Sequence, residues 1–220
     1  MNSKNKKTAI YIAAVSLPLF VLLLLRKKKM NPKGKLIAFI GDSHTAGYGW
    51  GWQSQLAKKY AFTEKNLAVG GKRTDWMVTV LTNYLATNKP DIVFIYGGAN
   101  DAYSNVTNNT ALKNIQKMVD LCNSKNIKPV VICGYNARKV QINNPNTKTT
   151  IYVTTKEGMW KLGEKFYQLQ LAIQTQIKNA YIVPIWQGAE MKDAPDGLHI
   201  TANAQKRFAD YIGNYLFDSK

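Results

Sequence analysis

The sequence predicts an α/β domain with a five-stranded parallel sheet, preceded by one transmembrane helix. Three observations predict it. From Lys35 onward, short apolar runs alternate with stretches of helical period. The segments between the runs are long enough to be helices, and parallel neighbours need such crossovers, which cover both faces of a sheet. Ahead of this region stands one uninterrupted apolar run, Thr8 to Leu25, with basic residues on both sides. Residues 1–34 therefore read as an anchor and basic linker, and residues 35–220 as the folded domain, with no internal repeat.

The apolar run has the length of a membrane span. Eighteen residues rising about 1.5 Å each cover roughly the hydrocarbon core of a bilayer. Pro18 would kink such a helix, which membranes tolerate. Lys4, Lys6 and Lys7 before the run also suit a secretory signal peptide. No small-x-small cleavage site follows, however. Arg26-Lys27-Lys28-Lys29 comes at once and suits phosphate head groups, so an uncleaved single-pass anchor is the expectation. The larger basic cluster after the run would put the domain on the cytoplasmic side, although the amino terminus adds a charge to the other flank.

The elements of the domain follow in order. Leu36–Ile40 predicts a buried first strand, and a helix is expected from Trp52 to Lys59. Phe62–Val69 predicts a weaker second strand, broken by Gly70-Gly71. Thr74 is the expected N-cap of a helix to Thr87, with Trp76, Val80, Leu81 and Leu85 near helical spacing. Asp91–Tyr96 predicts a third strand and runs into Gly97-Gly98-Ala99-Asn100-Asp101. Asn109–Ser124 is a helix with Leu112, Ile115, Val119 and Cys122 on one face, and Pro129–Tyr135 a fourth strand. Asn136–Thr155 lacks period and predicts a long loop. Lys156–Lys178 predicts a long helix, Ala180–Ile185 a fifth strand, and Thr201 caps a last helix to Phe217.

Of 30 Lys and Arg, nine lie at or before Lys35 where no acid occurs, leaving 21 bases against 13 acids beyond it. A basic domain could meet an anionic partner. No basic helix or RNA-binding signature is present, so nucleic acid is not expected as a partner. Cys122 and Cys133 lack metal-ligand spacing and read as buried free thiols. No metal or cofactor is expected. Trp50, Trp52, Trp160 and Trp186 read as core or rim.

Two stretches carry chemistry. Gly41-Asp42-Ser43-His44 follows the first strand, so Ser43 would project from the carboxyl edge of the sheet, where open α/β folds bind ligands. Asp196-Gly197-Leu198-His199 follows the fifth strand. A serine hydroxyl is a poor nucleophile until an imidazole takes its proton, and a carboxylate then orients the ring and stabilises its cation. Asp196 and His199, three apart on a turn, can meet directly, although Asp196 could also serve as a turn cap.

Gly41-Asp42-Ser43, Gly71 within Asn66-Leu67-Ala68-Val69-Gly70-Gly71, Gly98-Ala99-Asn100-Asp101 and Asp196-Gly197-Leu198-His199 resemble, in order, the four blocks of the SGNH (GDSL-type) hydrolase superfamily. Gly41 to Gly49 is similar to its esterase and lysophospholipase branch. The resemblance spans about Leu36 to Phe217. It implies a flavodoxin-like three-layer fold and a serine ester hydrolase. It assigns Ser43 as nucleophile, His199 as general base, and Asp196 as the carboxylate holding His199. The backbone N–H groups of Ser43 and Gly71 and the amide of Asn100 would form the oxyanion hole, with Gly70 an alternative to Gly71. Asp42 and Asp101 are expected to brace loops by hydrogen bonds. His44 stands where that family usually has Leu or another apolar residue, and is expected to affect packing or substrate fit.

The expected substrate is thus a carboxylic ester, either of an acetylated glycan or of a lipid or lysophospholipid, met by a membrane-tethered enzyme. The competing reading is a non-catalytic glycan- or lipid-binding module of an envelope or virion membrane that keeps the fold. Acyl-pocket residues would come from Gly47–Gly51, Tyr103–Thr107 and Asn136–Thr155.

Overall fold

A computed structural model of the protein describes residues 29–47, 51–141 and 156–218. The Thr8–Leu25 run lies outside them, as do Trp50 and most of the expected long loop. Among the described residues, no helix is long and apolar enough to cross a membrane. All of them except Lys29 and Met30 belong to one unit, Asn31–Lys220, to which the following description applies.

Five strands, β1 (Leu36–Gly41), β2 (Thr63–Asn66), β3 (Ile92–Tyr96), β4 (Lys128–Ile132) and β5 (Tyr181–Val183), form one parallel sheet in the order β2-β1-β3-β4-β5. This is the flavodoxin-like order, and the chain reverses its direction of winding between β1 and β3. β1 and β3 are paired from Ile37↔Ile92 to Gly41↔Tyr96. Both are buried almost throughout, which is why they read as continuous apolar runs rather than alternating ones.

The edge strands are shorter than the apolar runs that predict them. β2 stops at Asn66, but Leu67 and Val69 still donate to the carbonyls of Phe39 and Gly41, so the chain follows β1 without regular pairing. β5 ends before Pro184, which has no N–H to add to the ladder. A lone parallel bridge, Tyr135↔Trp186, continues the β4–β5 pairing beyond the strands.

Helices α1 (Trp52–Tyr60) and α7 (Ala202–Leu216) pack together on one side of the sheet. On the other side α2 (Thr74–Thr87) packs on α4 (Asn108–Ser124), and α4 on α6 (Lys156–Gln176). Two short helices, α3 (Ala99–Tyr103) and α5 (Ala137–Gln141), were not expected, and α5 lies within the expected loop 136–155. Five residues are too few to show a helical period.

Thr74 is the first helical residue of α2 rather than its N-cap. Arg73 holds the cap position without a side-chain bond, and the Asp101 carboxylate takes the Thr74 N–H instead, at 3.0 Å. Thr107 caps α4, its hydroxyl accepting from Thr110 N, and Thr201 caps α7 as expected, accepting from Ala204 N.

Between the sheet and the α1–α7 pair lies an aromatic core. Phe39 stacks on Phe94 at 4.9 Å between centroids, and Trp52 meets Phe39 edge-on at 5.4 Å and Phe208 at 5.8 Å. Trp186 is also buried and packs on Phe208. Cys122 and Cys133 are free and buried, and burial pushes both thiols up to about 12, so they are inert as nucleophiles.

Candidate active site

The winding reversal puts the ends of β1 and β3 side by side, and the site is built there. Gly41 ends β1 against the carbonyl of Tyr96 in β3. A Cβ at position 41 would lie 2.5 Å from that oxygen, so only glycine fits. The chain then turns sharply, with the N–H groups of Thr45 and Ala46 both donating to Asp42 O. Asp42 is fully buried and its Oδ1 accepts from His44 N at 3.0 Å. The turn presents Ser43, half-buried, at the carboxyl edge of the sheet.

His199 reaches Ser43 from the other side, on the loop between β5 and α7. Its Nε2 lies 2.9 Å from Ser43 Oγ, and its Nδ1 lies 2.7 Å from Asp196 Oδ2. Asp196 Oδ1 also accepts from the backbone N–H groups of Leu198 and His199, at 2.8 and 2.7 Å. Asp196 thus caps the turn and holds the imidazole at once. Tyr135 braces this loop from beneath by donating its hydroxyl to Leu198 O.

The charges fit that geometry. Burial alone would raise the Asp196 pKa, but the hydrogen bond to His199 and the two amides outweigh it and hold the carboxyl down at about 2. The hydrogen bond to Asp196 raises the pKa of His199, while desolvation opposes it. A proton arriving on Nε2 is therefore stabilised by the carboxylate behind the ring.

Gly70, Gly71 and Asn100 come to the same edge. A Cβ on Gly70 would lie 3.7 Å from Ser43 Cβ, so the glycine pair passes against the serine. Gly71 has φ +74°, a left-handed conformation that favours glycine, and a Cβ there would meet nothing within 4 Å. Asn100, in the first turn of α3, donates Nδ2–H to Lys72 O at 3.1 Å. That bond ties the amide to the glycine turn and uses one of its two N–H groups, leaving the other.

Asp101 braces this arrangement. It accepts from both Thr74 N and Thr74 Oγ1, the latter at 2.6 Å, and Thr74 Oγ1 in turn accepts from Asn114 Nδ2. The start of α2 is thereby fastened to α3 and α4. Sequence reasoning anticipated that Asp42 and Asp101 act as braces, but not their partners.

His44 is buried at 7% exposure, among Tyr96, Tyr135, Phe166 and His199, with ring centroids 5.5–6.3 Å away. Desolvation lowers its pKa to about 3, so it is neutral. It cannot serve as the base for Ser43, a position His199 occupies. With Tyr96, Tyr135 and His199 it lines a cavity of about 10 Å³, room for one water, and Nε2 has no hydrogen-bond partner among the described residues. A polar histidine thus serves as an aromatic packing residue. This is the packing role expected for a residue that stands beside Ser43 where an apolar side chain is usual.

Outside the catalytic turn, a groove of about 510 Å³ is lined by Gly71, Lys72, Arg73, Asp75, Trp76, Thr79 and Ser104. Among the described residues, no group of three His, Cys, Asp or Glu could hold a metal ion.

The fold matches solved structures over most of their length. It resembles TesA (22% identity, 83% of this chain and 98% of that one, TM-score 0.62). It also resembles a variant of Axe2, an acetyl xylan esterase from Geobacillus stearothermophilus (13%, 87% and 100%, 0.64). A third is the esterase EstA from Pseudoalteromonas sp., in a structure inhibited by monoethylphosphonate (20%, 82% and 96%, 0.54). At these identities the likeness is one of fold. No curated protein sequence matches the chain. Residues 39–207 match the profile of the GDSL-like lipase/acylhydrolase family, from the end of β1 to the middle of α7. The chain accordingly belongs to that family, within the SGNH hydrolase superfamily, and is a serine hydrolase of ester bonds.

Proposed function

We propose that the protein is a membrane-tethered esterase that cleaves carboxylic esters, of an acetylated glycan or a lipid, through an acyl-enzyme on Ser43. The continuous chain Ser43–His199–Asp196, with contacts of 2.9 and 2.7 Å, is the observation that carries this reading. His199 Nε2 takes the Ser43 proton as Oγ bonds to the ester carbon. The carbonyl oxygen becomes an oxyanion, and donors fixed in advance stabilise that charge without reorganising. The donors we assign are the N–H groups of Ser43 and Gly71 and the second N–H of Asn100. Gly71 is preferred over Gly70 because its positive φ turns the backbone at the point where Asn100 is tied.

Collapse of the tetrahedral intermediate breaks the bond to the alcohol, which leaves with the proton from His199. Water then attacks the acyl-enzyme, again giving a proton to His199, and the free acid departs as Oγ regains its hydrogen. Asp196 keeps the ring in the tautomer with Nε2 unprotonated and stabilises the imidazolium in each half-reaction.

A fluorophosphonate probe followed by intact mass measurement tests the assignment. The wild-type protein should gain one adduct, mapped to Ser43, and Ser43→Ala none. A folded wild-type protein that never reacts, yet binds glycan or lipid, would return the reading to a non-catalytic module.

The tether rests on the apolar run Thr8–Leu25 and the cluster Arg26–Lys29. A tether of this kind would join the domain at the start of β1, the end of that strand remote from Ser43. Full-length protein should stay with membranes through alkaline carbonate extraction, and a chain beginning at Asn31 should not. Release of the full chain would overturn the anchor.

A further inference from the structure

We propose that the groove lined by Lys72, Arg73, Asp75, Trp76, Thr79 and Ser104 is the subsite for the alcohol part of the ester, and that this alcohol is a carbohydrate. The inference rests on the esterase reading above and selects between its two substrate classes.

The groove starts at Gly71, one residue beyond Gly70, whose added Cβ would lie 3.7 Å from Ser43 Cβ. Gly71 lines it and also belongs to the turn that passes Ser43, and the carbonyl of Lys72 is the group that Asn100 grips. An ester whose carbonyl oxygen sits among these donors has one substituent leading out over Gly71. No Cβ stands there, and one placed on Gly71 would meet nothing within 4 Å beyond its chain neighbours. The volume of about 510 Å³ is in the range of sites that hold small organic ligands, and is ample for two sugar rings.

The lining decides the chemistry. Among the described residues that line it, Trp76 is the one large apolar side chain, and it is half-buried. The rest are charged or hydroxyl-bearing: Arg73 and Asp75 face each other at 2.8 Å, and Thr79 and Ser104 add hydroxyls. A fatty chain would have to lie against these groups and strip water from them without replacing its hydrogen bonds, which costs free energy. A sugar presents an apolar C–H face and a rim of hydroxyls. The C–H face suits the indole, and the rim finds both donors and acceptors in Arg73, Asp75, Thr79 and Ser104.

Lys72 shows that the indole face is open to a partner. Its Nζ sits over the Trp76 ring, 5.6 Å from the centroid. The ring's negative face attracts positive charge, and the C–H groups of a pyranose carry the same sign of partial charge. On its flexible stem Lys72 can yield that place and turn to a sugar hydroxyl.

The test uses a ratio, so that loss of chemistry and loss of the subsite are separable. kcat/KM is measured on partially O-acetylated xylotetraose and on p-nitrophenyl acetate for the wild type, Trp76→Ala and Trp76→Phe. The oligosaccharide-to-nitrophenyl ratio should fall at least tenfold in Trp76→Ala, mostly through KM, and recover in Trp76→Phe. Ser104→Trp, which fills the groove while leaving the indole at 76, should lower the same ratio. Ratios within twofold of wild type in both Trp76→Ala and Ser104→Trp overturn the subsite. So does a wild type that cleaves lysophosphatidylcholine faster than the oligosaccharide in a Trp76-dependent way. No hydrolysis of p-nitrophenyl acetate by the wild type instead overturns the underlying esterase reading.

Discussion

Ser43 Oγ and His199 Nε2 lie 2.9 Å apart although 156 positions separate them in the chain. The contact exists because β1 lies inside the sheet and β5 at its edge, and both strands point their carboxyl ends the same way. His199 is then oriented by Asp196 from its own loop, so replacing Asp196 by Asn should leave the fold intact. It should lower kcat by about 10⁴, because the amide favours the wrong tautomer of the ring. Ester hydrolysis by Asp196→Asn within tenfold of wild type would show that the carboxylate only caps the turn.

The pH profile follows from the same pair. In the proposed reaction His199 acts as a base in its neutral form, and the hydrogen bond to Asp196 raises its pKa above the ordinary 6.5. The acid limb of kcat/KM should therefore have its midpoint above 6.5, with activity rising to a plateau on the alkaline side. In Asp196→Asn the residual activity should have its limb moved to lower pH. A wild-type midpoint below 6.5 would mean that desolvation of the ring outweighs the carboxylate.

Asn100→Ala removes one preset donor from the oxyanion and should lower kcat by about 10²–10³, with a smaller effect on KM. Because Asn100 Nδ2 also holds Lys72 O, melting should be measured alongside. A rate loss below fivefold would remove Asn100 from the oxyanion hole.

Asp101 satisfies two donors of Thr74 at the start of α2. Asp101→Ala leaves both buried and unpaired, at a cost of about 1–3 kcal/mol in denaturant unfolding. It also loosens the turn that carries Asn100. The double variant Asn100→Ala/Asp101→Ala should then lose little more rate than Asn100→Ala alone, and full additivity would show that Asp101 has no part in placing the amide.

His44 gives a stability prediction with a definite sign. Its folded pKa is lowered to about 3 from 6.5, so below 6.5 the unfolded chain takes a proton that the folded one refuses. Stability therefore falls with pH through that window, by at most about 1.4 kcal/mol per unit. Buried Asp42, raised from 3.8 to about 7, acts in the opposite direction, favouring the fold more as pH falls toward 3.8. His44→Leu removes only the first effect. Its melting temperature relative to wild type should rise steadily as pH is taken from 7 to 5. A constant difference would show that the folded imidazole takes up a proton as readily as the unfolded one.

Much of this was legible in the residues. β1, β3 and β4 are buried on their outer and inner faces alike, so each appears as an unbroken apolar run such as Ile92–Tyr96. β2 and β5 are edge strands paired on one side, and they end at Asn66 and Val183, three and two residues short of the expected Val69 and Ile185; β4 ends at Ile132, three short of Tyr135. α3 and α5 have five residues each, too few to carry a period, and Thr74 has the residue type of a cap yet is the first helical residue of α2. Its true partner, Asp101, lies 27 residues away.

The order of elements and the parallel sheet can be read from the residues alone, while Ser43, Gly71, Asn100, Asp196 and His199 stand out as a set through the resemblance to the family's four blocks. The order and the sheet follow from local pattern, because burial and turn chemistry act over a few residues. The tertiary fold closed Tyr96, Tyr135 and Phe166 around His44 and made its ring neutral, selecting packing from the two expected uses, packing or substrate fit. It alone tied Asn100 to Lys72 and stood Tyr135 under Leu198. It also placed Trp76 beside an open groove that begins at Gly71. Hydrogen bonds and grooves of this kind join segments brought together by the crossovers. Their geometry depends on how the helices pack on the sheet, which no short stretch of sequence encodes.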